Sequence, residues 1–220
     1  METLWLVVLM APPLLVAVIL HEIAHGYVAE RLGDPTARAA GRITLNPIVH
    51  IDLFMTILLP ALLIFAGSPV IFGGAKPVPV NPGYFKDPAK GMSVVAIAGP
   101  ITNFILALIS FGLYQAVLAI PSSDLFLGLG LAFVANWLVY SVLINVVLGV
   151  FNLLPVPPLD GGRIAVGLLP VRLAQGLARL EPFGILIVFL LLYLGVVEAV
   201  LGPVIAVSYT HLRAHETSSN

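Results

Sequence analysis

The sequence predicts an all-α polytopic membrane protein with about four to five transmembrane helices plus a re-entrant or extended segment. Three observations carry this. The chain is 60% hydrophobic and 10% charged, where a soluble domain of this length carries about 25% charged residues. Its apolar runs reach the about 20 residues that cross a bilayer. The first of these runs contains the motif His21-Glu22-Ile23-Ala24-His25, and ionisable residues at such a place are costly enough to read as functional. The net charge of −1 gives no basis for a nucleic-acid partner, and the absence of Cys excludes disulfides and thiol nucleophiles.

The elements follow in order. Residues 4–29 form the first apolar run and carry HExxH on the first helix; no Lys or Arg precedes Arg31, so the run does not read as a cleaved signal peptide. Residues 34–47, ending in Gly41-Arg-Ile-Thr-Leu-Asn-Pro47, read as a short strand or hairpin closed by Asn-Pro. The second apolar run, 51–72, is interrupted by Pro60, Gly67 and Pro69. Residues 73–83 carry Pro77, Pro79 and Pro82, a spacing that forbids helix and favours extended backbone. Three further runs, 92–120, 125–154 and 183–206, complete the set. No internal repeat or flexible linker divides them.

Charge sets the expected topology. Nine of the ten Lys and Arg precede residue 207: Arg31, Arg38, Arg42, Lys76, Lys86, Lys90, Arg163, Arg172 and Arg179. Basic residues in short loops mark the cytoplasmic side. All nine fall there if the first helix runs inward and residues 51–80 enter and return, leaving Pro121-Ser-Ser-Asp124 outside; a full fifth span is the alternative. His25 then lies six residues, roughly 9 Å, from the inner end of its helix. The expected location is a multi-pass position in the cell membrane, with the active site toward the cytoplasm.

On a helix, His21 and His25 share one face and can bind one zinc ion. Glu22 beside them is placed to take a proton from an activated water. Catalytic zinc takes three protein ligands as a rule. His50 follows Asn46-Pro47 in a loop and is the weaker candidate. Asp160 is the better one, because Pro155, Pro157 and Pro158 open the backbone before it, and Gly161 and Gly162 allow a close approach after it. The alternative role for Asp160 is to cap the helix that begins near Gly162. Glu181 and Glu198 remain as acids for a Glu-ligated variant of the site.

HEIAHG at 21–26, AGPITN at 98–103 and NLLPVPPLDGGR at 152–163 together resemble the site-2 protease family, in its compact form without PDZ or CBS domain. The resemblance implies an intramembrane zinc metalloprotease with one Zn2+ per chain, held by His21, His25 and Asp160, with Glu22 as base. It implies a membrane-protein substrate, cleaved within a transmembrane segment in the lipid bilayer. It further suggests Asn152 for substrate binding and carbonyl polarisation, Asn103 for holding substrate, and residues 76–82 as an extended segment beside the active site. Asn136 and Asn145 carry no motif and read as interhelical packing. A polytopic metal transporter or an inactive membrane scaffold are the alternatives; the lack of paired repeats argues against the first and the intact motifs against the second.

Residues 207–217, VSYTHLRAHET, resemble a translated sequencing-library adapter. The expected division is therefore a membrane-embedded metalloprotease domain over 1–206 and a non-native tail over 207–220. His211, His215 and Glu216 imitate metal-ligand spacing and receive no role.

Overall fold

The structure is a computed structural model that describes the backbone of residues 2–67, 73–121 and 124–217, and the side chains of residues 8–67, 73–121 and 124–206. Pro69 and the end of the 51–72 run, Ser122, Ser123 and residues 218–220 lie outside the described residues. The elements are helical: α1 (Glu2–Arg31), α2 (Thr36–Ala39), α3 (Leu59–Phe65), α4 (Pro88–Leu118), α5 (Leu125–Asn152), α6 (Asp160–Leu168), α7 (Val171–Ala178), α8 (Gly184–Tyr193) and α9 (Val196–Thr217). Among the described residues, four helical stretches are long and apolar enough to cross a membrane: Val8–Arg31, Pro88–Leu118, Leu125–Asn152 and Val171–Tyr193.

α1, α4 and α5 form the core that positions the site. The buried face of α1 is a stripe at every fourth residue: Leu9, Pro13, Ala17, His21, His25 and Ala29. Residues at this spacing lie along one ridge of a helix, and Ala17 and Ala29 keep the ridge low on both sides of the two histidines. α4 answers with Ala96, Gly99, Asn103, Ala107, Ser110 and Tyr114, all buried. α5 contributes Leu138, Ser141, Val142, Asn145 and Gly149. Small and polar residues line these seams, as expected where helices gain nothing by leaving lipid and pack instead by close approach and interhelical hydrogen bonds. Large apolar side chains such as Leu62, Phe65, Leu108 and Leu129 point outward and are exposed, as a lipid-facing surface requires.

Residues 73–80 return alongside the start of the 51–67 segment. Asp52 caps a π-helical turn, Leu53–Leu58, by accepting from the amides of Phe54 and Met55. α3 continues it and ends at Ala66 and Gly67, whose φ is +65°. The returning chain pairs with the outgoing one: the Gly74 amide donates to the Met55 carbonyl at 3.0 Å, and the Lys76 amide to the His50 carbonyl at 2.8 Å. Thr56 Oγ1 donates to the Gly74 carbonyl at 2.6 Å. Residues 73–76 therefore lie alongside residues 50–56, the pairing that a re-entrant path requires.

Two expectations from sequence are corrected. Residues 34–47 form no strand or hairpin; Thr36–Ala39 is the short helix α2, and Asn46 accepts from the Ile48 amide and caps a 3-10 turn, Pro47–His50. An isolated extended segment has no ladder to join here, while the Asn side chain supplies its own local bond. The run 183–206 is not one helix. α8 ends at Gly195, whose φ of +69° is the left-handed helix stop that glycine favours, so the fourth long apolar stretch lies at Val171–Tyr193, broken by a 3-10 turn at Glu181–Phe183.

Arg31, Lys86 and Lys90 line one crevice where α1 ends and α4 begins, and Ser93 on the first turns of α4 donates to the Arg163 carbonyl at 3.1 Å. Arg31, Lys86, Lys90 and Arg163 thus gather at one end of the bundle. Residues 119–121 lie at the other end of α4, about 46 Å away along 31 residues. Since the chain has no Cys, single cysteines can report this directly. Cysteines at Ile51 and Lys76 are expected to react with an impermeant maleimide from the same side of sealed vesicles, and one at Pro121 from the opposite side. Labelling of Ile51→Cys and Lys76→Cys from opposite sides would contradict the re-entrant path.

Candidate metal centre

The motif helix delivers two imidazoles to one point. The rings of His21 and His25 stand edge to face, 4.6 Å apart at 88°, and are 7% and 8% exposed. Asp160 meets them from the start of α6, with Oδ2 at 3.0 Å from His21 Nε2 and 3.3 Å from His25 Nε2. The bland role for Asp160 does not hold: it is the first residue of α6, and no side-chain cap is made there. Its carboxylate turns to the histidines instead.

The close packing explains why glycines surround the site. A Cβ on Gly99 would sit 2.5 Å from His21 Nε2 and 2.6 Å from His25 Cε1, so α4 can pass beneath both rings only with hydrogen at that position. A Cβ on Gly161 would meet the carbonyl oxygens of Leu153 and Leu154 at 2.3 and 2.2 Å, and one on Gly162 the nitrogen of Pro157 at 2.6 Å. The two glycines after Asp160 thus let α6 start against the end of α5, and so place the carboxylate at the depth of the histidines.

Each imidazole is held from behind. His25 Nδ1 lies 2.8 Å from the Val95 carbonyl, which only accepts, so Nδ1 carries the hydrogen and Nε2 presents a lone pair. His21 Nδ1 lies 2.6 Å from Asn103 Oδ1. Asp160 Oδ2 is buried and has no hydrogen-bond partner. Three electron-pair donors therefore converge, all within 4.8 Å of one another. Such an arrangement is repulsive without a cation and fits a divalent one. The two distances to Oδ2 match the roughly 3.3 Å edge of a tetrahedron with bonds of about 2.0–2.1 Å, so the residues fit zinc.

The other candidates separate. Glu22 and Asn152 line one cavity of about 220 Å³ together with His21. Glu22 Oε2 accepts from the Val78 amide at 2.8 Å, and Asn152 Nδ2 donates to the Leu148 carbonyl at 3.0 Å. Asn103 lies behind His21 and is 0% exposed, on the side away from this cavity. His50 is buried outside the cluster, with Nε2 at 2.9 Å from the Thr44 carbonyl. Glu181 pairs with Arg163 at 3.3 Å, and neither it nor Glu198 belongs to the convergent group.

Sequence reasoning missed the residues that hold the extended strap, 73–81, over the motif. Arg42 is 7% exposed and donates to the carbonyls of Lys76 and Pro77 at 2.5 and 3.3 Å. Asp34 Oδ2 accepts from the Asn81 amide at 2.6 Å. Burial raises the Asp34 carboxyl, but hydrogen bonds from the Thr36 hydroxyl and the Asn81 and Thr36 amides outweigh it and bring its pKa below the ordinary value. That anchorage is present at neutral pH and is lost only as pH falls through the lowered value. Gly26 completes the seat: a Cβ there would lie 3.1 Å from Val78 Cγ1. The one available signal was a basic and an acidic residue, Asp34 and Arg42, flanking a short segment with no hydrophobic face of its own.

Gly99→Ala is expected to weaken metal binding by roughly tenfold or more and to cost about 1–3 kcal/mol of stability through overpacking. Gly112→Ala, on the same helix with nothing within 4 Å of its Cβ position, is expected to change neither. Competition with a chromophoric chelator and thermal unfolding measure the two effects.

Comparison with known proteins agrees with this geometry. The profile of Peptidase family M50 matches residues 9–133 and 128–195. The chain is 44% identical over 182 residues to "Putative zinc metalloprotease YwhC" of Bacillus subtilis (strain 168), covering 82% of this chain and 77% of that protein. It is 34% identical to "Putative zinc metalloprotease Rip2" of Mycolicibacterium smegmatis, over 81% of this chain and 64% of that one. It is 30% identical to "Zinc metalloprotease MJ0392" of Methanocaldococcus jannaschii, over 69% of this chain and 31% of that one. No solved structure gives a significant match. With a buried His-His-Asp cluster, four long apolar helices and this match across most of its length, the chain belongs to peptidase family M50 and is a multi-pass membrane zinc metalloprotease.

Proposed function

We propose that the protein is an intramembrane zinc endopeptidase that hydrolyses peptide bonds of transmembrane segments, with its active site toward the cytoplasmic side. His21, His25 and Asp160 hold the zinc. The observation that carries the reading is the convergence of His21 Nε2, His25 Nε2 and the unpartnered Asp160 Oδ2 inside the helical bundle, with Glu22 and Asn152 facing the same cavity as His21. Gathering of Arg31, Lys86, Lys90 and Arg163 at that end of the bundle supports a cytoplasmic orientation.

Bound zinc supplies Lewis acidity, which lowers the pKa of a water and polarises a carbonyl. The chain's own residues do the rest. The Val78 amide occupies Glu22 Oε2 and leaves Oε1 as the atom that takes a proton from the attacking water. Oxygen then bonds to the peptide carbon, the C–N bond breaks, and Glu22 returns the proton to the leaving amine. The second hydrogen of the water passes from the new carboxyl group to the amine, so the products are a carboxylate and an ammonium, and Glu22 ends as it began. Asn152 spends one amide hydrogen on Leu148; its second is the donor for the oxygen on which negative charge develops. A helical substrate has its amides bonded internally, so it must unwind locally before the peptide enters the cavity, and helix-weakening residues in the substrate favour cleavage.

Glu22→Ala is expected to retain one zinc per chain and lose at least about 10²-fold in cleavage rate of a model transmembrane substrate in proteoliposomes, the scale of a general base. Asp160→Asn is expected to lose both zinc and activity. Undiminished cleavage by Glu22→Ala would remove the base assignment.

A further inference from the structure

Behind His21 a chain of polar side chains runs through the membrane interior across three helices. His21 Nδ1 meets Asn103 Oδ1 at 2.6 Å. Asn103 Nδ2 donates to Asn145 Oδ1 at 3.0 Å and approaches the Ala17 carbonyl at 3.4 Å. Asn145 Nδ2 donates to the Ser141 backbone carbonyl at 2.9 Å. Ser141 Oγ in turn meets Ser110 Oγ at 2.8 Å. Asn103 and Asn145 are 0% and 1% exposed.

The direction of this chain is fixed at one end. A backbone carbonyl only accepts, so the Asn145 atom facing Ser141 is the amide nitrogen and the other is oxygen. That oxygen demands a donor, so Asn103 turns its nitrogen to Asn145 and its oxygen to His21. An oxygen there demands hydrogen on Nδ1, and a neutral imidazole carries only one. Nε2 is left with its lone pair pointing at Asp160 and His25. If Asn103 were flipped, its amide nitrogen would face His21 and favour hydrogen on Nε2, which cannot then ligate a metal; its oxygen would also face two oxygens, of Asn145 and Ala17. Water that could satisfy the flipped form elsewhere has no access at such burial. His25 gets the same assignment from a single backbone carbonyl, that of Val95.

We propose that Asn145, two side chains from the metal, is a positioning residue that acts through Asn103 to hold His21 in the metal-binding tautomer. The proposal rests on the zinc-site reading above. Asn145 is thus more than an interhelical contact: the bond it makes orders an amide that by itself has two nearly isosteric settings. Removing a hydrogen-bond partner behind a metal-binding His costs about 10–100-fold in metal affinity, and a residue one step further back is expected near the lower end.

The full chain in detergent micelles tests this with two readouts: imidazole ¹⁵N resonances of the metal-free protein, and Co2+ affinity. The parent is expected to show His21 with hydrogen on Nδ1. Asn145→Leu is expected to show mixed tautomers and about tenfold weaker Co2+ binding. The double variant Asn103→Asp with Asn145→Leu is expected to regain the parent's affinity, since a carboxylate offers oxygen in either setting and needs no orienting partner. An unchanged tautomer and affinity in Asn145→Leu, or no recovery in the folded double variant, overturns the proposal. A parent chain that binds no Co2+ while holding His21 in the Nδ1–H tautomer would instead overturn the metal-site reading.

Discussion

Three lone pairs aimed at one buried point are the constraint on which the rest of the molecule depends. His21 Nε2, His25 Nε2 and Asp160 Oδ2 lie within reach of one cation, on residues that are nearly buried. Left alone, this arrangement would push α1 and α6 apart. It holds because packing leaves the groups nowhere else to go, and because a divalent cation turns the repulsion into ligation. The surrounding glycines follow from the same demand. Gly99 lets α4 slide under the rings, and Gly161 and Gly162 let α6 begin against α5.

The second constraint is the bilayer. Irregular backbone at membrane depth must be covered by protein or line a wet cavity. Two irregular stretches lie near the metal, residues 73–81 and 153–159, and both reach the cavity that holds Glu22 and Asn152. The opening for a substrate and the opening that delivers Asp160 are thus parts of one feature. The strap across it is tied from below: Glu22, Arg42, Asp34 and the His50 carbonyl each bind its backbone. Pro77 and Pro79 within it have no amide to satisfy, which lowers the cost of leaving a regular ladder unmade.

Much of this was legible in the sequence, for physical reasons that can be named. HExxH fixes two ligands on one helix face by the helical repeat alone. Three prolines before Leu159-Asp160-Gly161-Gly162 announce an opened backbone, and the interruptions at Pro60, Gly67 and Pro69 mark a run that need not cross as one straight helix. Other features depend on neighbours that no local pattern reveals. Asn103 reads as a polar residue free to meet a substrate until the fold puts His21 on one side of it and Asn145 on the other. Gly99 reads as part of a motif without saying that two imidazoles lie over it. Gly195 sits in an apolar run whose hydropathy is continuous, so the break in backbone direction leaves no trace in composition. Residues 41–47 alternate enough to suggest a strand, but a strand needs a partner edge, and the segment has only Asn46 and its own amides to bond.

The zinc K-edge X-ray absorption spectrum of the zinc-loaded full chain tests the central claim most directly. One zinc per chain is expected, with two imidazoles and oxygen ligands in its coordination sphere, and with one imidazole contribution lost in His21→Ala. A sphere with three imidazoles, which would bring in His50, or substoichiometric zinc with no imidazole signature, would contradict it.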